Sequence, residues 1–570
     1  MEDPNWPTYG ANDLYSGCGC NWPDWLENDV YQSLVNVNIT ALYDTGTVIF
    51  LPGLAENWTV SSNGSAYTFN LRQNVKFSNG DPFNAYEVWM QMYATYYLSG
   101  NSSYFLYTFN GFNMTNVNFG PSTIALVNQS SLANPSQQVL NIMENDSWPI
   151  YVTSQYQIVF HLYTRFGDFP GVMVGFGGPL IYDSQFVLDN GGYGNSSGFN
   201  VYFNTVAIPG TGPYEVENVV SPAYMTFTLN PLYWGDNLSA SEIAAQPLLG
   251  PGVVKTVVVR TVTDDVTRYA DLSTNKAQFA VIEAADWPLI QTNPQEYSFL
   301  ELPSWSSNTV DLAFNTQIYP TNITDFRQAI VHAINYSNII DEVLHGYGTE
   351  FVGPEYPAQK ALYDIGNFTP YQTNLTLAMQ YLNESGVSPI PTLSYRVPSG
   401  CDQCESIAQI IQGDLSNIGI NVNLEVVEYG TYFSTWGSYA SDVQDPSQYG
   451  NLYPLYTTWA PGTMMPAEYY WTFVTNRSLY GNFAMYSNPV VESVLNLMAQ
   501  TSNYSTITAQ LETAQKQIYD DAPYAWLSLD RLDFADGSLA WKTGVISGFQ
   551  FDPDMVGADS MPYFNTITFG

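Results

Sequence analysis

The sequence predicts an α/β protein with mixed sheets and more than one domain, and three observations support this. The chain has 570 residues, which is more than one hydrophobic core usually organises. Strand-like runs dominate its first half. In its second half helical and strand-like segments alternate, as they do in the βαβ units that pack helices against a sheet.

The first half contains strand patterns bounded by turn residues. Residues 66–71 alternate between apolar and polar side chains, which predicts a half-buried strand. The turn sequence Asn-Gly-Asp-Pro at 79–82 then leads into a helix predicted at about 84–97. Residues 224–229 and 256–262 are β-branched or aromatic runs between Pro and Gly, and both are predicted strands.

The second half is predicted to begin with two helices. Asp325 is the expected cap of the first, and Ser337 is the expected cap of the second, which ends at Gly346. The later elements follow from the apolar period and from Gly and Pro stops. They are a helix at 406–417, a strand at 420–427, a helix at about 506–520 and a strand at 524–529.

The charge balance is unusual because basic residues are scarce. The net charge is −38, from 52 Asp and Glu against 14 Lys and Arg, and the charged fraction of 12% is about half the usual ~25%. Once the carboxylates are protonated near pH 2–3, few positive charges remain to repel one another. We interpret this as an outward-facing protein of an acidophile; the alternative is an acidic surface protein at neutral pH. Nucleic acid is excluded as a partner because no basic stripe exists.

The sequence contains no membrane-spanning or targeting signal. No apolar stretch reaches the ~18 residues that a membrane helix needs. The opening MEDPNWPTYG has neither the basic region nor the apolar region of a signal peptide. We therefore expect an exported, extracellular or cell-surface protein whose targeting segment is not part of this chain. An anchor or stalk beyond Gly570 is left open.

Asn-x-Ser/Thr sequons are frequent, about twice as many as composition alone would give, and they predict a surface glycoprotein. The sites are Asn38, Asn57, Asn63, Asn101, Asn113, Asn128, Asn145, Asn195, Asn237, Asn322, Asn335, Asn367, Asn374, Asn383, Asn476 and Asn503.

The four cysteines form two close pairs, Cys18 with Cys20 and Cys401 with Cys404. A zinc site fits poorly, because a C-x-C half lacks the usual knuckle spacing and acid would protonate the thiolates. Disulfides suit an exported protein better, and pairing within each close pair is favoured. Three connectivities are open from sequence alone.

A family resemblance rests on five phrases that occur in one order. The first is LAENWTVSSNGSAYTFNLRQNVKFSNGDPFNAYEV at 54–88, followed by GTGPYEVENVVSPAYMTFTLNPLYWG at 210–235. The third is FNTQIYPTNITDFRQAIVHAINYSNIIDEVLHGYGT at 314–349. LSNIGINVNLEVVEYGTY at 415–432 and IYDDAPYAWLSL at 518–529 complete the series. Together they resemble the family 5 extracellular solute-binding proteins, the dipeptide and oligopeptide type that serves ABC importers. Within this family we expect a sugar-binding member from an archaeal acidophile.

The resemblance implies a two-lobed fold of the periplasmic-binding-protein kind, in the large type II form of family 5. It implies a hinge of two crossing strands and an accessory domain inserted early. Lobe I is expected at 1–43, 201–306 and 531–570, the accessory domain at 44–200, and lobe II at 307–530. It also implies a receptor that closes on a small solute, not an enzyme.

Aromatic residues make up 15% of the chain, and aromatic planes suit a cleft for neutral ligands such as sugars. A packing role in the core or at the surface is the alternative for each of them. The candidate walls of the cleft are Trp22, Trp25, Trp305, Trp436, Trp459 and Trp471.

One motif distinguishes between ligands. Peptide-binding members of the resembled family have a Trp, two residues, an Asp that pairs with the peptide's α-amino group, and a Pro soon after. Here Trp459 and Pro466 match, but Gly462 stands at the position of the Asp. A buried ammonium without a counter-ion costs several kcal/mol, so a neutral oligosaccharide is favoured over a peptide. A shift of register would let Asp445 or Glu468 replace the missing carboxylate.

Motifs for catalysis are weak. The letters G-x-S-x-G occur at 194–198, but a nucleophile elbow needs a strand before the serine and a helix after it. His161, His332 and His345 lack the spacing of metal ligands. A pair of carboxylates for glycoside hydrolysis is left open, because such pairs meet only in the fold.

These observations lead to one main hypothesis and three alternatives. The main one is a monomeric receptor that captures a cello- or other gluco-oligosaccharide by hinge closure and then docks on the membrane subunits of an ABC importer. No cofactor and no metal are expected. The alternatives are an oligopeptide receptor of the same fold, a secreted acid glycosidase, and a structural glycoprotein of the cell surface.

Overall fold

The computed structural model describes most of the chain. The described residues are 1–3, 29–38, 41, 48–99, 112–163, 165–167, 169–174, 179–195, 198–220, 223–283, 286–300, 309–355, 357, 362–399, 401–428, 431–432, 455–460, 470, 474, 482–501, 503–530, 538–550 and 562–569.

The described strands are two to seven residues long. In chain order they are β1 (Glu2–Asp3), β2 (Val35–Val37), β3 (Phe50–Pro52), β4 (Ala55–Val60), β5 (Ala66–Leu71), β6 (Ile150–Ser154), β7 (Gln157–His161), β8 (Gly194–Asn195), β9 (Gly198–Phe199), β10 (Tyr214–Val220), β11 (Tyr224–Leu229), β12 (Thr256–Thr261), β13 (Phe279–Ile282), β14 (Tyr297–Phe299), β15 (Thr309–Phe314), β16 (Gly348–Thr349), β17 (Leu393–Pro398), β18 (Val422–Val427), β19 (Leu455–Ala460), β20 (Tyr524–Asp530), β21 (Ser538–Lys542), β22 (Ile546–Ser547) and β23 (Thr568–Phe569).

The α-helices are divided evenly between the two halves of the chain, seven in each half of the described residues. They are α1 (Ala85–Ser99), α2 (Pro121–Asn128), α3 (Gln137–Met143), α4 (Phe169–Val172), α5 (Ser184–Asp189), α6 (Ala240–Ala245), α7 (Asp265–Ser273), α8 (Trp287–Gln291), α9 (Thr324–Ala333), α10 (Tyr336–Asn338), α11 (Leu375–Glu384), α12 (Asp402–Ser416), α13 (Pro489–Met498) and α14 (Thr508–Asp521). None of the described helices has the length and apolar character needed to cross a bilayer.

Three larger sheets organise the described residues. The first sheet has the order β10-β11-β12-β1-β13-β21-β14, the second β16-β20-β15-β19-β17-β18, and the third β4-β5-β7-β6. The first is mixed because β1 runs parallel to both β12 and β13. The second is mixed because β17 runs parallel to both β18 and β19, whereas β15 is antiparallel to its neighbours. The predicted α/β class with mixed sheets is confirmed.

The hydrophobic core follows this division. One apolar cluster includes buried side chains of both the third and the first sheet, for example Phe69 and Phe227. A second cluster surrounds the second sheet and includes Leu312 and Leu527. All six residues of β15 are buried, as expected for a strand in the middle of a covered sheet. The predicted boundaries of the two lobes and of the accessory domain stay predictions.

Two predicted helix caps are wrong. Helix α9 begins at Thr324, so Asp325 lies within its first turn, where a negative charge still favours the positive end of the helix dipole. The next helix is capped by Asn335 rather than Ser337, since the Asn335 Oδ1 accepts a hydrogen bond of 3.1 Å from the Asn338 N–H. The Asn335 N–H is itself held by Asp414 at 2.8 Å, which fixes the start of the helix there.

The disulfide Cys401–Cys404 forms, which confirms the predicted local pairing for these two residues. Cys18 and Cys20 lie outside the described residues. Helix α12 begins at this disulfide, four residues before the predicted start, because the Cys401 Sγ caps the helix by accepting from the Cys404 N–H at 3.2 Å. The pair thus fixes the point where the chain leaves β17 and enters α12.

Replacing both Cys401 and Cys404 with Ser is expected to lower the free energy of unfolding by about 2 kcal/mol, the loop-entropy value for a short cross-link. Serine at 401 still caps the helix, so the change isolates the covalent bond. Denaturant unfolding of the variant and of the parent checks this. An equal midpoint for the two proteins would show that the bond contributes nothing beyond the cap.

The glycosylation sequons are placed on the surface. Among the sequon asparagines whose side chains are described, ten are exposed and the other three, Asn38, Asn145 and Asn335, are half-buried. Asn195 is described by its backbone alone, and Asn101 and Asn476 lie outside the described residues. Exposure is what a glycan requires, and glycosylation itself stays a prediction.

Candidate functional site

One edge of the second sheet gathers the ends of several strands. Strands β17, β18 and β19 run in the same direction, and β20 shares it because β19 and β20 are both antiparallel to β15. Their last residues and the first residue of β15 therefore lie together. We call this row the carboxyl edge, and it consists of Thr309, Pro398, Val427, Ala460 and Asp530. In α/β sheets, ligands bind outside the carboxyl ends of the strands.

The chain enters and leaves the second sheet at neighbouring points of the carboxyl edge. Thr309, the first residue of β15, pairs with Leu529 on β20 and with Ala460 on β19. The entry strand β15 is thus flanked by the exit strand β20 on one side and by β19 on the other.

The predicted ligand motif begins at this edge. Trp459 is the last residue but one of β19 and pairs through its backbone with Val310. Its side chain, like Gly462 two residues beyond the strand, lies outside what the structure describes. The other predicted wall residues, together with Asp445 and Glu468, also lie outside the described residues: Trp22, Trp25, Trp305, Trp436 and Trp471.

The carboxyl edge holds a buried carboxyl group that sequence reasoning missed. Asp530 ends β20 and is 1% exposed, and neither of its carboxyl oxygens has a hydrogen-bond partner within the described part of the chain. Burial raises the pKa of Asp530 to about 7, while the nearby Ser528 hydroxyl opposes this rise. The signal in the sequence is a single acidic residue that closes the apolar strand YAWLSLD.

A second buried carboxyl group lies inside the neighbouring strand. Asp311 on β15 is 0% exposed, and its Oδ2 accepts a hydrogen bond of 2.9 Å from the Thr309 hydroxyl. Burial holds the pKa of Asp311 well above its usual value; the Thr309 bond lowers it and the charge of Asp530 raises it further. The entry strand β15 and the exit strand β20 therefore each contain a buried acid with a raised pKa. Such an acid binds a proton more readily than an acid in water does.

The carboxyl edge lies beside a contact between the two large sheets. Tyr347, which precedes β16, packs its ring against Phe299 of β14 at 5.7 Å and against Trp287 of α8 at 6.3 Å. The next residue, Gly348, pairs with Asp530 across β16 and β20. Asp530 is thus one strand away from the aromatic contact that joins the second sheet to elements of the first.

The remaining sequence motifs form no catalytic site. In the G-x-S-x-G stretch the described residues 194–195 pair as β8 with 198–199 as β9, so a strand stands directly after the serine where an elbow requires a helix. The His332 Nδ1 lies 3.0 Å from the backbone oxygen of Gln372, and its ring stacks on Tyr381, which is a structural role. Within the described ranges, no group of three or more His, Cys, Asp or Glu side chains is placed to hold a metal ion.

Comparisons with known proteins agree with this architecture. The model of the bacterial extracellular solute-binding proteins, family 5 (middle region), matches residues 50–481. The di/tripeptide-binding protein 2 of Pseudomonas aeruginosa is 24% identical over 400 residues, which cover 69% of this chain and 66% of that protein. The glutathione-binding protein GsiB of Salmonella typhi is 23% identical over 510 residues, which cover 88% of this chain and 85% of that protein.

The same fold occurs in the dipeptide-binding protein of Pseudoalteromonas sp. SM9913, solved in complex with Met-Leu. The superposition has a TM-score of 0.68 at 18% identity and covers 95% of this chain and 94% of that one. The family match spans more than half of the chain, and the fold agrees over almost all of it. The chain therefore belongs to the family 5 extracellular solute-binding proteins, which are receptors of ABC importers and not enzymes.

Proposed function

We propose that this protein is a peptide-binding receptor of an ABC importer. The observation that favours it most is the similarity, over most of the chain, to relatives named for di- and tripeptides and to a fold solved with a dipeptide. The relatives favour the peptide alternative over the main sequence-based hypothesis of an oligosaccharide receptor. A small peptide and the membrane subunits of the importer are then the partners, and the receptor works outside the cytoplasmic membrane.

Hinge closure is the proposed mechanism of capture. The second sheet, which lies within the proposed lobe II at 307–530, is entered and left through two adjacent strand ends. Bending there moves one lobe against the other as a rigid body. A peptide at the carboxyl edge that contacts both lobes only when they are closed shifts the population towards the closed form.

A neutral oligosaccharide is the second candidate. It is favoured by Gly462, which stands where peptide-binding members of the family have a carboxylate. A ligand without an ammonium group has no need of that carboxylate. The two candidates differ in the charge of the ligand, so a direct comparison of ligands decides between them.

Calorimetric titration tests the proposal. The protein is titrated at pH 7.5 and at pH 3 with Met-Leu, with a pool of di- and tripeptides, and with cello-, malto- and manno-oligosaccharides. Tight binding of peptides, which are recovered unchanged by mass spectrometry, is the expected result. Binding of a sugar with no response to any peptide would overturn the peptide function, and release of a cleaved product would overturn the receptor function.

Replacing Trp459 with Ala is expected to weaken ligand binding by on the order of 1–3 kcal/mol, since an aromatic wall of the site would lose its contact area. The matched control is Tyr163→Ala, which removes an aromatic ring that is 66% exposed and lies in the proposed accessory domain. Titration of both variants with the same ligand, together with their circular dichroism spectra, checks this. Unchanged affinity in a folded Trp459→Ala variant would remove Trp459 from the site.

A further inference from the structure

The carboxyl group of Asp530 lies in an environment that is energetically unfavourable for a polar group. It is almost completely buried, and both of its oxygens lack a hydrogen-bond partner among the residues that the structure describes. The Ser528 Oγ, on the same strand, is also buried without a partner in that part of the chain. Leaving buried polar groups unpaired costs about 1–3 kcal/mol each, and more for a charged group. Such a group persists where a function requires it, as at a site completed by a ligand.

The space beside Ser528 is closed by the backbone of β16 and by apolar side chains. A Cβ atom placed on Gly348, the residue opposite Asp530, would lie 2.5 Å from the Ser528 Oγ, 2.8 Å from the Leu344 Cδ1 and 3.2 Å from the Ile340 Cγ1. The backbone of β16 thus approaches the Ser528 hydroxyl closely, and apolar side chains close the space beside it. In such a medium of low dielectric constant, a carboxylate attracts a cation more strongly than it does in water.

The position of Asp530 fits a ligand group at the carboxyl edge. Strands β19 and β20 lie on either side of β15, so their ends are about 10 Å apart, twice the spacing of neighbouring strands. The family motif that lacks its carboxylate at Gly462 begins at the end of β19. A carboxylate that is missing at the end of one strand is therefore matched by an unpaired carboxyl group at the end of another strand of the same edge.

We propose that Asp530 binds the α-ammonium group of the peptide ligand, in place of the carboxylate that the chain lacks at Gly462. This rests on the proposed peptide function. The ammonium group supplies the hydrogen-bond donors and the positive charge that the Asp530 oxygens lack, and charge-assisted bonds of this kind are the strongest that a ligand amine forms. Opening of the lobes admits the peptide, and closure buries the pair.

The test combines one substitution with one change of ligand. Wild-type protein and the variant Asp530→Asn are titrated at pH 7.5 with Met-Leu and with N-acetyl-Met-Leu, which has no ammonium group. We expect Asp530→Asn to weaken Met-Leu binding on the order of 100-fold, the usual result of removing one partner of a buried charge pair. N-acetylation should weaken binding to the wild type by a similar factor and have little further effect on the variant, as a double-mutant cycle requires for two groups that pair.

Asp183→Asn is the matched control. It removes a carboxyl group that is as deeply buried, but at the start of α5, which packs in the apolar cluster of the third sheet, and Asn still caps that helix. Its affinity for Met-Leu should stay within about threefold of the wild type, as expected for a site without contact to the ligand. The melting temperature of Asp530→Asn should not fall, because the substitution removes a buried unpaired acid, so a loss of binding is not a loss of folding.

Each outcome separates this proposal from the peptide function. Peptide binding that is insensitive both to Asp530→Asn and to N-acetylation overturns the role of Asp530 and leaves the peptide function intact. Sensitivity to N-acetylation alone also overturns it, because another carboxylate then binds the ammonium group. If a wider set of di- and tripeptides also fails to bind the wild type at any pH tested, the peptide function fails, and the role of Asp530 fails with it.

Discussion

Replacing Arg327 with Met is expected to lower the free energy of unfolding by about 3–5 kcal/mol, because several buried carbonyl oxygens lose their charged donor at about 1–3 kcal/mol each. The Arg327 guanidinium is buried and ties the start of the second half to its end. Its Nε donates to the backbone oxygens of Asp521 at 2.9 Å and Ala522 at 3.1 Å, where α14 ends, and its Nη1 donates to that of Thr321 at 2.8 Å. Methionine fills a similar volume but leaves these carbonyl groups without donors.

Denaturant unfolding followed by circular dichroism measures this effect. The matched control is Lys516→Met on α14, because Lys516 is exposed and forms an ion pair with Asp520 one turn away. An exposed pair of this kind contributes at most about 1 kcal/mol, so the control should shift the midpoint little. Equal shifts for the two variants would show that the bonds of Arg327 do not join the helices as described.

The fold is expected to be more stable at pH 4 than at pH 7.5. Burial raises the pKa of Asp530 and of Asp183 to about 7, and holds the pKa of Glu87 well above its usual value. A group whose pKa is raised in the folded state binds more protons folded than unfolded between the two pKa values. Its stabilising contribution is complete below the unfolded pKa and is lost as the pH rises through about 7. The net charge of −38 at neutral pH adds repulsion in the same direction.

Thermal unfolding at the two pH values measures this dependence. A rise in pKa from 3.8 to about 7 corresponds to at most about 4 kcal/mol for Asp530. For a chain of 570 residues that value is equivalent to a shift of about 3 °C in the melting temperature. Asp530→Asn should therefore reduce the difference between pH 4 and pH 7.5, whereas Asp341→Asn at an exposed position of the second half should leave it unchanged. A wild-type protein that melts higher at pH 7.5 than at pH 4 would contradict the prediction.

The sequence was a good guide wherever local patterns decide the structure. The strands at 66–71 and 224–229 occur at the predicted residues, because the first alternates with a period of two and the second is a β-branched and aromatic run between turn residues. The helix predicted at about 84–97 occurs at Ala85–Ser99, since the Asn84 Oδ1 accepts from the Tyr86 and Glu87 N–H groups at its start. The bridge between Cys401 and Cys404 is the local pairing that the sequence favoured among three open connectivities.

The sequence was a poor guide where distant groups compete for one position. Asn335 rather than Ser337 begins α10 because Asp414, far along the chain, holds the Asn335 N–H. Helix α12 starts at Asp402, before residue 406 where its apolar pattern begins, because the Cys401 sulfur atom caps the helix. Asp414 cannot be recognised from the residues next to α10, and cysteine is not among the residue types that usually indicate a helix cap.

The sequence by itself determined the α/β class, the family resemblance, the shortage of basic residues and the missing carboxylate at Gly462. Only the tertiary structure decided that β19 and β20 end at the edge where β15 begins, and that Asp530 lies there buried and without a partner in the described part of the chain. The reason is physical. Strand periodicity and charge balance are set by neighbouring residues, whereas the burial of a carboxyl group depends on which strands and helices pack around it.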